Sequence, residues 1–109
     1  MSGKAIPKEI KEQVQAIVAR FNAQVIQDSH RFYIPRYRKQ YLYLDRSDFG
    51  TIGPICRLRF NGKIDDWGFA IYKYSSERYD PDEWFFPGQD LVDGTIEGAM
   101  KAGLEAYPG

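Results

Sequence analysis

The chain has one histidine, His30, and one cysteine, Cys56, and they bound the chemistry it can offer. Imidazole is the side chain whose ordinary titration falls near neutral pH, so His30 is the first candidate for acid–base work. Asp28-Ser29-His30 holds the three residue types of a hydrolytic triad. Adjacent residues cannot form the line of nucleophile, base and orienter that a triad needs. A histidine just past a helix end is also favoured by the helix dipole, and that is the role expected of His30. Cys56 falls in a predicted strand on its apolar side, where a thiol is inert. No Cys or His stands at ligand spacing, which excludes zinc. Gly50-x-x-Gly53-Pro54 follows a strand but opens no helix, so it is not a phosphate loop.

Carboxylates gather at Asp65-Asp66 and at Asp80, Asp82 and Glu83. Hard oxygen ligands of this kind can hold Mg²⁺ or Ca²⁺. The second group lacks the glycine and the terminal glutamate of an EF-hand loop. Helix capping and pairing with Arg57 or Arg78 explain these acids more simply, and neither a metal nor a cofactor is expected.

A different chemistry is offered by alternating aromatic and basic residues. If the helices cover the sheet face carrying Leu42, Leu44, Leu58 and Phe69, the other face presents Tyr41, Tyr43, Arg57, Arg59, Tyr72 and Tyr74. Flat rings with guanidinium groups between them can stack unpaired bases and hold phosphates. The same residue types also suit an ordinary solvent-facing strand or a dimer interface. A third candidate is the segment Trp84-Phe85-Phe86-Pro87-Gly88. It can serve as a lid or partner anchor, and with His30 and Tyr79 it frames a possible pocket. The simpler role is a plug at the open end of the core, with at least two of the three aromatics packed inward.

These residues need elements to position them. Ile10, Val14, Ile17, Phe21 and Val25, widened by Val18, make one apolar stripe, and the spacing predicts a helix over residues 7–27 with Pro7 in its first turn. Aromatic alternation over 31–37 and 40–45 predicts two strands joined near Arg38-Lys39, the first at a sheet edge because Pro35 lacks a donor. Residues 47–54 read as a loop. A second hairpin joins 55–60 to 67–74. Asn61-Gly62 is a turn signal, but a two-residue turn there sets Leu58 against Asp65 and Phe60 against Lys63. A longer loop over 61–66 pairs Phe60 with Trp67, Leu58 with Phe69 and Cys56 with Ile71, all on one face, and is preferred. Asp80 as cap, Pro81 and Glu83 predict a short helical turn. Residues 94–107 predict a second helix capped by Asp93, with Ile96, Ala99, Met100, Gly103, Leu104 and Tyr107 on its buried face. Gly98 and Gly103 each cost about 1 kcal/mol in a helix, which close approach to the sheet would offset.

The fold class expected is therefore α+β: a two-layer sandwich of an N-terminal helix, a four-stranded antiparallel meander sheet and a C-terminal helix. One domain spans residues 1–109, with 1–5 as a flexible tail. The order helix–sheet–helix in a chain of this size is similar to that of frataxin-like proteins. The resemblance implies architecture alone. The iron-binding role of an acidic first helix and early strand does not carry over, because the first helix here has only Glu9 and Glu12 as acids and the first two strands are basic.

The 109 residues carry 15 Lys+Arg and 15 Asp+Glu, with 16% aromatic and 43% hydrophobic residues. Such a chain is too apolar to be disordered. It has no long uncharged apolar run, so no membrane span is expected. The N-terminus has no apolar stretch of signal-peptide type, and a cytoplasmic location is expected. The neutrality is local bookkeeping: residues 29–63 hold eight Lys/Arg against two Asp, a charge of +6, and residues 64–109 hold three against ten, a charge of −7. That asymmetry suggests head-to-tail or two-fold contact between copies, as in a homodimer or other homo-oligomer. The function expected is a non-enzymatic interaction or self-associating domain. Two alternatives are a single-stranded nucleic-acid binder using the Tyr- and Arg-rich face, and a small enzyme with a pocket under the 79–88 loop.

Overall fold

The computed structural model describes residues 5–108. The expected tail at 1–5 lies outside the described residues except for Ala5, and the chain is anchored at once by Ile6, which is buried and donates its N–H to Lys39 O at 3.1 Å. Helix α1 spans Lys8–Phe21, with Pro7 at its N-cap rather than inside its first turn. Val14, Val18 and Phe21 of the predicted stripe are buried, and Ile10 and Ile17 pack against them. The helix then loosens into a π-turn, Asn22–Ile26, closed by Gln27 in the left-handed region. A π-turn takes more residues per revolution than an α-turn, so the stripe changes phase. Val25, expected inside, is 50% exposed, and Ile26 packs against the core in its place.

Five strands follow as an antiparallel meander in the order β1-β2-β3-β4-β5: Arg31–Arg38, Tyr41–Asp48, Thr51–Lys63, Asp66–Lys73 and Arg78–Asp80. The α+β sandwich is as expected, with one strand more than the four counted from sequence. Pro35 lies in β1, an edge strand. The pairs Phe60–Trp67, Leu58–Phe69 and Cys56–Ile71 all form. The expected loop at 61–66 is shorter than predicted, because β3 runs on to Lys63 and pairs with Asp66. Gly62, at φ +107, takes up the register shift between Phe60 and Lys63. Asn61-Gly62 thus forms a bulge, and glycine supplies the backbone angle that it needs.

The predicted loop at 47–54 is not a loop. Strand β2 continues through Arg46, Ser47 and Asp48, turns at Phe49-Gly50 and pairs with β3 from Thr51. Phe49 and Gly50 both have positive φ, 54° and 92°, the backbone of a two-residue hairpin turn that follows strand twist. The expected helical turn at Asp80 is likewise replaced: Arg78–Asp80 is strand, and Asp80 Oδ1 then accepts from the Asp82 N–H at 3.0 Å as the chain turns away.

Both helices lie on one side of the sheet. Helix α2, Ile96–Ala106, is capped by the Thr95 hydroxyl, which accepts from the Gly98 N–H. Asp93, the expected cap, instead accepts from the Thr95 N–H and hydroxyl. Ile96, Ala99, Met100 and Ala102 of α2 join Val14 and Val18 of α1 over Leu42, Leu44, Leu58 and Ile71 in one apolar cluster. Gly103 sits where a Cβ would strike the Tyr33 hydroxyl and Ile55, so close approach to the sheet accounts for it. Gly98 is also tight, but against Asp93 and the Leu91 carbonyl rather than the sheet.

One polar group is built into this layer. Arg46 is 1% exposed. Its guanidinium meets both Asp48 oxygens at 3.0 Å and donates to the carbonyls of Gly103 and Tyr107 at the end of α2. Arg31 shares Asp48 at 3.0 Å and donates to Pro108 O at 2.7 Å. The two arginines thus tie the C-terminal segment to β1 and β2. Among the described residues no helix is long and apolar enough to cross a membrane.

Candidate binding face

The helices leave the other side of the sheet without a covering layer. Directly opposed residues of an antiparallel pair share a face, so the register defines that surface. Tyr41 opposes Arg38 and Arg59, Tyr43 opposes Arg36 and Arg57, and Tyr72 opposes Tyr79. Gly68 and Ala70 of β4 stand across from Arg59 and Arg57. Tyr41, Tyr43, Arg57, Arg59 and Tyr72, expected from sequence to share one face, are therefore brought together.

The surface is ordered by ring contacts. The Arg57 guanidinium lies 4.5 Å from the Tyr41 ring centre and 5.6 Å from that of Tyr79. Arg36 lies 4.7 Å over Tyr43. Tyr43 and Tyr79 meet edge to face at 5.3 Å, Tyr72 and Tyr79 at 5.0 Å, and Tyr72 and Tyr74 at 4.9 Å. Edge-to-face packing satisfies the ring quadrupoles and fixes each ring's tilt. Burial pushes the Tyr79 hydroxyl up to about 12, and the Asp45 carboxylate adds to that push.

Charge on this face is not evenly satisfied. Arg36 binds both oxygens of Asp45, at 3.0 and 3.3 Å. Arg31 and Arg46 are taken up by Asp48 on the helix side. Arg57 and Arg59 make no salt bridge among the described residues. Arg59 is exposed, and only its Nε is engaged within the chain, donating to Asn61 Oδ1 at 3.2 Å. A shallow cavity of about 280 Å³ opens between the two, lined by Tyr41, Arg57, Arg59, Gly68, Ala70 and Pro81, with Phe69 of β4 also bordering it. The pairing of Arg57 with an acid, expected from sequence, does not form, whereas Arg78 does meet Asp80, at 3.6 Å.

The residues grouped around the 79–88 loop do not come together as one site. A cavity of about 360 Å³ lies there, lined by Lys73, Tyr74, Glu83, Phe85, Phe86 and Tyr107 among others. Lys73 and Glu83 meet across it at 3.0 Å. Glu83 is held below the usual carboxylate range by the Lys73 hydrogen bond first and the Phe85 N–H second. Tyr79 belongs instead to the sheet face. Trp84 is 43% exposed and Phe85 93% exposed, and only Phe86 packs well, stacked on Phe69 at 5.7 Å. The expectation of two inward aromatics is not met: Trp84 and Phe85 stay exposed, and Trp84 reaches Phe69 and Phe86 only at ring-centre distances of 6.2 and 6.3 Å. His30 lines neither cavity. Its side chain is 73% exposed, 3.7 Å from Asp28, and its ring stacks on Phe49 at 6.0 Å.

Cys56 is fully buried, and burial raises its thiol far above the ordinary value. No group of three or more His, Cys, Asp or Glu able to hold a metal ion occurs among the described residues. Sequence reasoning missed Arg36, Tyr79 and Pro81 as members of the face. Tyr79 and Pro81 follow from the fifth strand, whose three residues are too few to show alternation. The chain matches no family model, no curated protein and no solved structure, so the likeness of element order to frataxin-like proteins carries no argument.

Proposed function

We propose that the chain is a non-enzymatic interaction domain whose docking surface is the helix-free face of its sheet. One observation carries this reading: that face holds five tyrosines in mutual contact with Arg57 seated against two of them, and neither Arg57 nor Arg59 has a carboxylate partner among the described residues. Aromatic and arginine side chains are the residues that dominate binding hot spots. Ring packing has already ordered them, so a partner forfeits little side-chain entropy on docking. The cavity beneath the 83–87 segment supports a catalytic reading less well, since its two charged groups, Lys73 and Glu83, are spent on each other.

Amide chemical-shift mapping tests the reading. The isotope-labelled protein is titrated with itself by concentration, at low and high salt, and with mixed oligonucleotides. The expected result is perturbation confined to β2, β3, β4 and the Tyr79–Pro81 segment. Perturbation confined to α1 and α2, or none under any of these conditions, removes the sheet face as the docking surface.

A further inference from the structure

Resting on that reading, we propose that the cavity between Arg57, Arg59 and Pro81 takes one nucleotide of a single-stranded nucleic acid, with its phosphate on the two guanidinium groups and its base at Gly68 against Tyr41.

Three of the eight cations in the basic segment are consumed by Asp45 and Asp48. Arg57 and Arg59 border one cavity, and no carboxylate of the described residues pairs with either. A half-buried guanidinium stacked between rings and lacking an anion is poised to accept one, and its planar fork fits phosphate. Arg38, opposite Tyr41 on β1, extends the positive track along the strand ends.

The floor of the cavity includes Gly68 of β4. Glycine weakens a strand interior and marks places where a bulge or a close neighbour demands it. Gly68 meets neither demand. Its backbone is not in the left-handed region, and a Cβ built on it would touch Arg59 Cβ at 3.6 Å, an ordinary contact. The Arg59 Nε and the Asn61 amide border that Cβ position at 3.8 and 3.9 Å, and without a side chain Gly68 lines the cavity together with Tyr41. Ala70, next but one along β4, is buried, so the accessible part of the floor is the backbone at Gly68. The cavity, about 280 Å³, has room for one small planar group and its phosphate, not for a helix or a side-chain cluster.

A second copy docked two-fold on this face would bring two arginine-bearing faces together, and like charges across an interface repel. A second copy docked head to tail, with its acidic half on this face, closes only where the rotation between copies completes a ring and otherwise grows as an open filament. A single strand supplies phosphates and unstacked bases together. A duplex keeps the flat faces of its bases stacked on one another, out of reach of the Tyr41 ring.

Fluorescence anisotropy with labelled mixed-sequence single strands of about 12 nucleotides, DNA and RNA, tests the site, beside a duplex of the same length. The expected result is binding at about 50 mM salt that weakens steeply by about 200 mM, with the duplex at least about tenfold weaker. Gly68→Leu fills the floor without altering charge. It should weaken binding about tenfold while leaving the salt slope unchanged. Arg59→Gln should lower the salt slope by about one. If Gly68→Leu melts early, Gly68→Ala, which meets only ordinary contacts, serves with a smaller loss in the same direction. Equal binding of duplex and single strand, or full binding by both Gly68 variants, overturns the nucleotide site in favour of diffuse charge attraction. If no oligonucleotide binds but light scattering shows self-association that Arg59→Glu changes, this inference falls and the docking face stands. If neither occurs, both fall.

Discussion

Arg46 and Arg57 come from neighbouring strands of one basic segment, yet the sheet sends them to opposite fates. Arg46 points to the helix side, is 1% exposed, and spends its donors on Asp48 and the last carbonyls of α2. Arg57 points to the bare side and is held by two tyrosine rings with no acid partner among the described residues. The same residue type serves architecture in one place and leaves a binding capacity unspent in the other. Segment charge alone cannot separate them, because it counts both as +1. Once Asp45 and Asp48 are assigned their partners, the positive character of the hairpin concentrates on the side that the helices leave open.

The sharpest way to break this contrast is to remove each arginine. Arg46→Met strands Asp48 with Arg31 alone and leaves the end of α2 without its buried donors. A loss of about 3 kcal/mol is expected, seen as a lower urea midpoint at unchanged slope. Arg57→Gln forfeits ring contacts that are partly exposed, and should cost no more than about 1 kcal/mol. If the two losses were equal, Arg57 would be structural and the division between the faces would fail.

Two glycines sharpen the comparison further. Gly103 of α2 faces Tyr33 and Ile55 so closely that any Cβ must displace them. Gly103→Ala should cost about 2 kcal/mol through overpacking. Gly68 on the bare side has only ordinary neighbours. Gly68→Ala should be neutral or stabilising by about 0.5 kcal/mol, since alanine restricts the unfolded chain. Thermal melts of the two variants side by side check the signs. A destabilised Gly68→Ala would mean that packing, not an open floor, keeps the glycine.

Much of the architecture was legible in the sequence, and the failures share a cause. The register of β3 and β4 could be read because Phe60, Leu58 and Cys56 alternate strictly and find Trp67, Phe69 and Ile71 in step. The end of β2 could not, because Arg46, Ser47 and Asp48 are polar in type although the first two are buried. Alternation detects apolar burial and is blind to burial by ion pairing. Val25 was placed inside because helical spacing assumes a constant period, and the π-turn at Asn22–Ile26 breaks it. The face residues Tyr41, Tyr43, Arg57 and Arg59 followed from parity. That the face is bare depends on where both helices dock, which parity does not contain. Tyr79 was assigned to a lid because Arg78–Asp80 is too short to announce itself as strand.

The smallest effect near neutral pH, and one that compares the faces again, lies in the alkaline range. Tyr33 is buried on the helix side and donates to Met100 O at 2.7 Å. Tyr79 is half-buried on the bare side. Burial raises both hydroxyls, Tyr79 to about 12, and Tyr33 is the more deeply buried of the two. Unfolded tyrosine ionises near pH 10. Above about pH 10 the unfolded chain therefore sheds protons that the native chain keeps, and stability falls as pH rises. Below that pH the contribution is fully present. Melting temperature against pH from about 9 to about 11 should drop, and Tyr79→Phe should flatten part of that drop. Tyr33→Phe should flatten more of it, but starts about 1 kcal/mol lower at neutral pH because it forfeits the Met100 bond. If Tyr79→Phe leaves the slope untouched, water reaches that hydroxyl freely, and the rings of the bare face are not packed as tightly as their edge-to-face contacts imply.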